Sequence, residues 1–254
     1  MLLKNIRREL RRHQDKAKAK VLRRFFKTGP GEYAEGDIFL GVTVPALRKL
    51  AKQFQGLKLR SVVELLRSPI HEERLTALLI LILKYRKSDA DHKSRIYRIY
   101  LENTRYINNW DLVDVTAKHI IGDFLRDKDK SILYELARSP LLWDRRIAIL
   151  STFHFIENDQ FKDTLKIARL LVSDRHDLIH KAVGWMLREI GKRDLEAEEK
   201  FLKRHHRTMP RTMLRYAIEK FPESRRQMYL NKQYTQTLHI AAKGGLRWRS
   251  TEGM

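Results

Sequence analysis

The chain has 254 residues, 43% of them apolar, enough for a real core and too many for a disordered polymer. Its 53 Lys and Arg against 31 Asp and Glu give a net charge of +22, far beyond what solubility needs. That excess points to a polyanion, nucleic acid being favoured over an anionic membrane or a ribosomal surface. The absence of Cys excludes disulfides, thiolate zinc sites and cysteine nucleophiles. No apolar run has the length of a membrane span or the make-up of a secretory signal, so an intracellular, soluble protein with no membrane partner is expected.

Residues 2–27 read as one basic amphipathic helix, with Leu3, Ile6, Leu10, Val21, Leu22, Phe25 and Phe26 among many Lys and Arg. Its apolar stripe is interrupted between Gln14 and Lys20, which favours a helix packed on the body over one lying on a membrane. The loop from Gly29 to Val42 carries Gly29, Gly31, Gly36 and Gly41. It lacks the Gly-x-x-x-x-Gly-Lys-Ser/Thr pattern and a preceding strand, so it is not a nucleotide cradle. Thr43 and Pro45 then open a helix that runs through Phe54.

From there apolar residues at spacings of three and four predict helices over 58–67, 70–86, 91–103, 110–126, 129–138 and 142–157, then 159–172, 177–191, 195–206, 209–221 and 222–230, with no strand. Ser68-Pro69 and Ser139-Pro140 punctuate pairs of these helices. The punctuation is also a repeat. Leu66-Arg67-Ser68-Pro69 with Arg74 and Ala77 matches Ala137-Arg138-Ser139-Pro140 with Arg145 and Ala148, 71 residues on. Ser173 with Ala182 and Thr208 with Ala217 continue the register, 34 and 35 residues further along. A degenerate copy therefore belongs near residues 101–121. A helical-hairpin period of this size marks an all-α solenoid, an α-α superhelix of stacked hairpins, each unit burying its apolar face on the next.

In such an array one helix of each pair lines the concave face, so the residues just before the repeated Ala are of interest: Leu75, Arg146, His180 and Tyr216. The intervening copy contributes Trp110 and Asp114, an aromatic and a carboxylate that share one helical face at i and i+4. Trp185 follows Ala182 by three residues.

Four runs make the sequence recognisable: Trp110-Asp111-Leu112-Val113-Asp114, Gly122-Asp123-Phe124, Trp143-Asp144-Arg145-Arg146-Ile147-Ala148-Ile149-Leu150 and Lys181-Ala182-Val183-Gly184-Trp185-Met186-Leu187-Arg188-Glu189. Over roughly residues 35–225 the chain resembles the DNA alkylation repair family of HEAT-like-repeat DNA glycosylases, the AlkD type. The resemblance implies hydrolysis of the N-glycosidic bond of cationic alkylpurines, such as 3-methyladenine and 7-methylguanine, in duplex DNA. It implies base excision repair by a cytoplasmic, nucleoid-associated monomer with no cofactor and no metal. Trp110, Asp114 and Trp185 match the family's catalytic positions, and Arg146, Arg145, His180 and Lys181 are the expected DNA contacts. The matched motifs leave out the first 34 residues, and one domain is expected over 1–230, followed by a basic tail, 231–254, containing Arg247-Trp248-Arg249.

The chemistry asks for these residue types. Alkylation makes the base a cationic leaving group, so the barrier is the positive charge that develops on deoxyribose. A fixed carboxylate, Asp114, can stabilise that charge and orient the water. The faces of Trp110 and Trp185 attract a cation, and Arg146 suits a phosphate. Blander readings stand beside these. Both Trp residues can be core aromatics, Asp114 can pair with Lys118, its i+4 neighbour, and Arg146 can pair with Asp144. Arg145, the copy of Arg74, reads as structural. His176 and His180 lack a third ligand and suit a cap and a phosphate contact better than a metal, and adjacent His205 and His206 diverge on a helix. The competing class is a non-catalytic nucleic-acid-binding scaffold.

Overall fold

The computed structural model describes residues 2–230; the expected basic tail and its Trp248 lie outside them. Among the described residues the regular structure is helical apart from one parallel bridge between Ile38 and Ile70, and no helix is long and apolar enough to cross a membrane.

The first predicted helix is two: α1 (Leu3–Arg12) and α2 (Lys16–Phe25). The break falls where the apolar stripe fails, because Asp15 caps α2 by accepting from the Lys18 backbone N–H at 3.0 Å. Then come α3 (Val44–Gln53), α4 (Leu59–Leu66), α5 (His71–Lys87) and α6 (Ala90–Glu102), all close to their predicted bounds. The helix expected over 110–126 is interrupted. It consists of α7 (Trp110–Asp114), a π-helical turn (Lys118–Gly122) and α8 (Asp123–Leu125). After α9 (Ser131–Leu136), the helix expected over 142–157 divides into α10 (Leu142–Ser151) and α11 (Phe153–Ile156). There Ser151 and Thr152 hydroxyls bond back to the carbonyls of Ile147 and Ile149, both at 2.7 Å, a contact that bends helices. The remaining helices are α12 (Lys162–Leu171), α13 (Asp177–Gly191), α14 (Leu195–His205), α15 (Arg211–Ala217) and α16 (Glu223–Leu230).

Helices α5, α7, α10, α13 and α15 touch one another in chain order. The repeated Ala77, Ala148, Ala182 and Ala217 are all fully buried in these contacts. Gly184 shows why small residues are needed: a Cβ there would stand 2.4 Å from the Met213 carbonyl oxygen. The 71-residue displacement is also visible in hydrogen bonds. Ser68 Oγ accepts from Ile70 N and Ser139 Oγ from Leu141 N, each at 3.1 Å. Arg74 Nη1 donates to the Ser68 carbonyl at 3.2 Å, and Arg145 Nη1 to the Ser139 carbonyl at 3.0 Å.

The loop between α2 and α3 is fastened to α5 by buried charges. Glu72 accepts from the backbone N–H groups of Leu40, Gly41 and Val42 at 3.0, 2.7 and 3.3 Å. Gly41, at φ 85°, is needed there, since a Cβ would stand 2.1 Å from the Asp15 carbonyl oxygen. Asp37 takes Arg74 Nη2 at 2.8 Å and His71 Nδ1 at 3.3 Å, and His71 Nε2 reaches Asp111 at 2.9 Å. Burial opposes a charge on His71, but the two carboxylates outweigh it and hold its pKa above the ordinary value.

A buried acid elsewhere gives a pH test of stability. Glu198 on α14 is 1% exposed, and its Oε1 has no partner. Burial, helped by the charge of Glu199 and opposed by Arg188, pushes its pKa up to about 9 from 4.5. The unfolded carboxyl ionises at the lower value while the folded one keeps its proton. Stability is therefore fully present below the unfolded pKa and is lost as pH rises toward about 9. Glu198→Gln is expected to melt higher than the parent near pH ~8, because an amide has no proton to lose on unfolding, with the gain vanishing toward pH ~4.5. Equal thermal melts across that range would refute the assignment.

Candidate active site

Helix α7 begins at Trp110 because Asn109 caps it, Oδ1 accepting from Trp110 N at 2.8 Å, and because Asp111 is tied to His71. This fixes Trp110 and Asp114 one turn apart. Trp110 serves both as core and as site wall. One side stacks on Phe26 at 5.2 Å and meets Phe25 edge-on at 5.9 Å, while the ring also lines a cavity shared with Asp114.

Asp114 does not pair with Lys118, which bonds Glu157 at 2.7 Å instead. Its partner is Arg146 on α10, whose Nε and Nη2 donate to the two carboxylate oxygens at 2.8 and 2.7 Å. Arg146 Nη1 donates to the Leu178 carbonyl at the start of α13, so the guanidinium joins α7, α10 and α13. Asp144, the local candidate partner, accepts from Ser139 Oγ at 2.8 Å. Burial lifts the Asp114 carboxyl above the ordinary aspartate value, and Arg146 offsets this only in part.

The cavity has a volume of about 790 Å³. One wall is Trp110, Asp114 and Arg146; α13 and α15 add Trp185, Lys181 and Tyr216. The loop after α2 adds Lys27, Gly31, Glu32 and Tyr33, and Arg175 with His176 and Asp177 stands at the entry to α13. Five of the seven residues expected from the sequence therefore converge: Trp110, Asp114, Arg146, Lys181 and Trp185. Trp185 donates Nε1 to Glu189 at 3.1 Å and meets Phe153 edge-on at 5.6 Å, and Lys181 pairs with Asp177 at 2.7 Å.

Arg145 and His180 are outside this lining. Arg145 is engaged by Asp174 at 2.7 Å and by the Ser139 and Pro140 carbonyls. His180 Nε2 turns to the Asp174 carbonyl at 2.6 Å, while His176 caps α13 by accepting from Leu178 N at 3.1 Å. The two His rings thus have separate duties.

Sequence reasoning missed Phe25, Lys27, Tyr33 and Arg175. The turn that carries Lys27 and Tyr33 depends on left-handed backbone at Lys27, φ 54°, and Gly31, φ 75°. Glu32 and Glu35 hold it by accepting from Gly29 N at 2.8 Å and Gly31 N at 2.9 Å. The glycines were a usable signal, since they mark a shaped turn even where no nucleotide motif is present. Tyr33 leans edge-on against Trp143 at 5.9 Å, and burial lifts its phenol pKa.

The sequence matches the DNA alkylation repair enzyme family over residues 6–221. The chain belongs to that family. The match begins well before residue 35, so the first helices, set aside by the motif comparison, are part of the family's domain; Ile6 and Leu10 of α1 are fully buried. Among solved structures, the chain is similar to a predicted DNA alkylation repair enzyme from Enterococcus faecalis, with 16% identity and a TM-score of 0.64, covering 82% of this chain and 97% of that one. It is also similar to smu.31 from Streptococcus mutans UA159, with 16% identity and a TM-score of 0.50, covering 86% and 98%. At that identity the likeness concerns the fold. No curated protein matches the sequence.

Proposed function

We propose that this member of the DNA alkylation repair enzyme family is a monofunctional DNA glycosylase that releases cationic alkylated purines from duplex DNA. The duplex lies along the concave face of a helical-hairpin solenoid, a reading supported by the chain-order stacking of α5, α7, α10, α13 and α15. The observation that carries the activity is Asp114, held bidentately by Arg146 in a cavity walled by Trp110 and Trp185.

A bare carboxylate in a phosphate-binding groove would repel DNA. Pairing with Arg146 removes most of that cost and leaves a carboxylate whose position is fixed before substrate arrives. As the C1′–N bond breaks, its electron pair leaves with the cationic base, which departs neutral, and positive charge moves to the sugar. Asp114 faces that charge, and the indole rings stabilise it further. Water oxygen then bonds to C1′ and its proton passes to solvent through the carboxylate. Lys27, Arg175 and Lys181 suit the flanking phosphates. The alkylated base is already a good leaving group, so the step needs no metal, nucleotide or redox group.

The test is direct. Incubation with methylated duplex DNA is expected to release 7-methylguanine and 3-methyladenine, detected by chromatography. Salt-dependent duplex binding with no free base would replace this reading with a non-catalytic scaffold.

A further inference from the structure

Between α12 and α14 lies a second hollow, of about 490 Å³, that shares no residue with the Asp114 cavity. Its rims carry Lys162, Lys166 and Arg169 from α12 and Lys200 and Arg204 from α14, all exposed. No carboxylate lines it. The spacing puts each row on one helical face, at i, i+4, i+7 and at i, i+4. The floor is apolar: Phe161 and Leu165 are half-buried, and Phe201 is buried with its ring against His205 at 4.5 Å. Burial, and after it the charges of Arg169 and Arg204, lower the pKa of His205 below the ordinary histidine value, as expected where cations are gathered without counter-charge.

Five exposed cations thus face one another across an apolar floor with no carboxylate among the lining residues. We propose that this groove binds a single strand of nucleic acid, with phosphates on the cationic rims and bases stacked over the floor. The pairing of ring and cation in sequence, Phe161-Lys162 and Lys200-Phe201, matches a strand that brings one charge with each flat base. A duplex hides its base faces and would meet only the rims. A second copy of this chain, at +22, would be repelled.

The test uses the full chain and fluorescein-labelled oligothymidylate about 12 nucleotides long, read by anisotropy. Neutralising one cation on each rim, with Lys166→Gln and Arg204→Gln together, is expected to weaken strand binding about tenfold. It should also reduce the slope of log affinity against log salt by about 1.4, at roughly 0.7 per single-strand phosphate contact. Phe161→Ala is expected to weaken the strand about fivefold or more through lost stacking while leaving duplex affinity and base release unchanged. Three results would overturn the proposal. Equal losses for duplex and strand would mean a surface for phosphate alone. Tighter binding of polyglutamate than of oligothymidylate at the same salt would mean an acidic protein partner. Strand binding that survives the paired variant but falls with Arg175→Gln and Lys181→Gln would place the strand in the Asp114 cavity.

Discussion

Replacing Asp114 by Asn is expected to lower release of 7-methylguanine from duplex DNA by about 10²-fold or more, with duplex affinity unchanged or tighter. Asn keeps the shape of the side chain and one acceptor for the Arg146 fork but sets its amide N–H groups against the second guanidinium donor, so the variant is expected to melt earlier than the parent. What disappears is the charge that faces the sugar cation. Removal of one such preorganised group elsewhere costs about 10²–10³ in rate. Affinity moves the other way, because loss of a negative charge from a cavity that also carries Lys27, Arg175 and Lys181 leaves those cations and Arg146 freer to meet phosphate. Single-turnover base release and duplex binding, measured on the same preparation at a temperature below its melt, separate the two effects. Undiminished base release by the Asn variant would end the mechanism, whatever happened to binding.

The helices were largely legible because periodicity of three and four records which side of each element is buried, and the start of α13 carries a side-chain cap in His176. The repeat was legible because its Ser and Arg do the same work twice: each Ser opens a helix and each Arg binds that Ser's carbonyl. Breaks inside helices were less visible. Asp15 had to be recognised as a cap within a run of Lys, and the bend at Thr152 comes from hydroxyls that bond backwards. The position of Asp114 followed from i, i+4 spacing, but its partner did not. The alternative pairing with Lys118 assumed an unbroken α-helix, and the π-helical turn that starts at Lys118 turns that side chain to Glu157. The true partner, Arg146, lies 32 residues away and reaches Asp114 only because α7 stacks on α10. Tyr33 and Lys27 were hidden for a similar reason. They reach the site through a turn with left-handed backbone at a lysine, and through the anchoring of the following loop by Glu72. Such contacts are long-range, and no local pattern encodes them.

Arg146→Met is expected to move the acid limb of base release to higher pH and to lower the rate at neutral pH. The Asp114 carboxyl is already lifted by burial, with Arg146 pulling against that lift. Without the guanidinium the carboxyl becomes more reluctant to ionise, so a larger fraction is protonated, and inactive, at any given pH. The sign follows from the active form being the anion: activity rises with pH through the folded pKa of Asp114, and raising that pKa carries the limb upward. Met nearly fills the space of the arginine stem but leaves the carboxylate and the Leu178 carbonyl without their donor. Breaking a buried pair from one side costs about 3–5 kcal/mol, so the melt is expected to fall as well. Arg146→Lys separates tuning from packing. It restores a cation beside Asp114 without the fork, so its acid limb should lie between those of the parent and the Met variant. If the Met and Lys variants both melt early but keep the parent's acid limb, Arg146 only braces α7, α10 and α13, and the charge of Asp114 is set by something else.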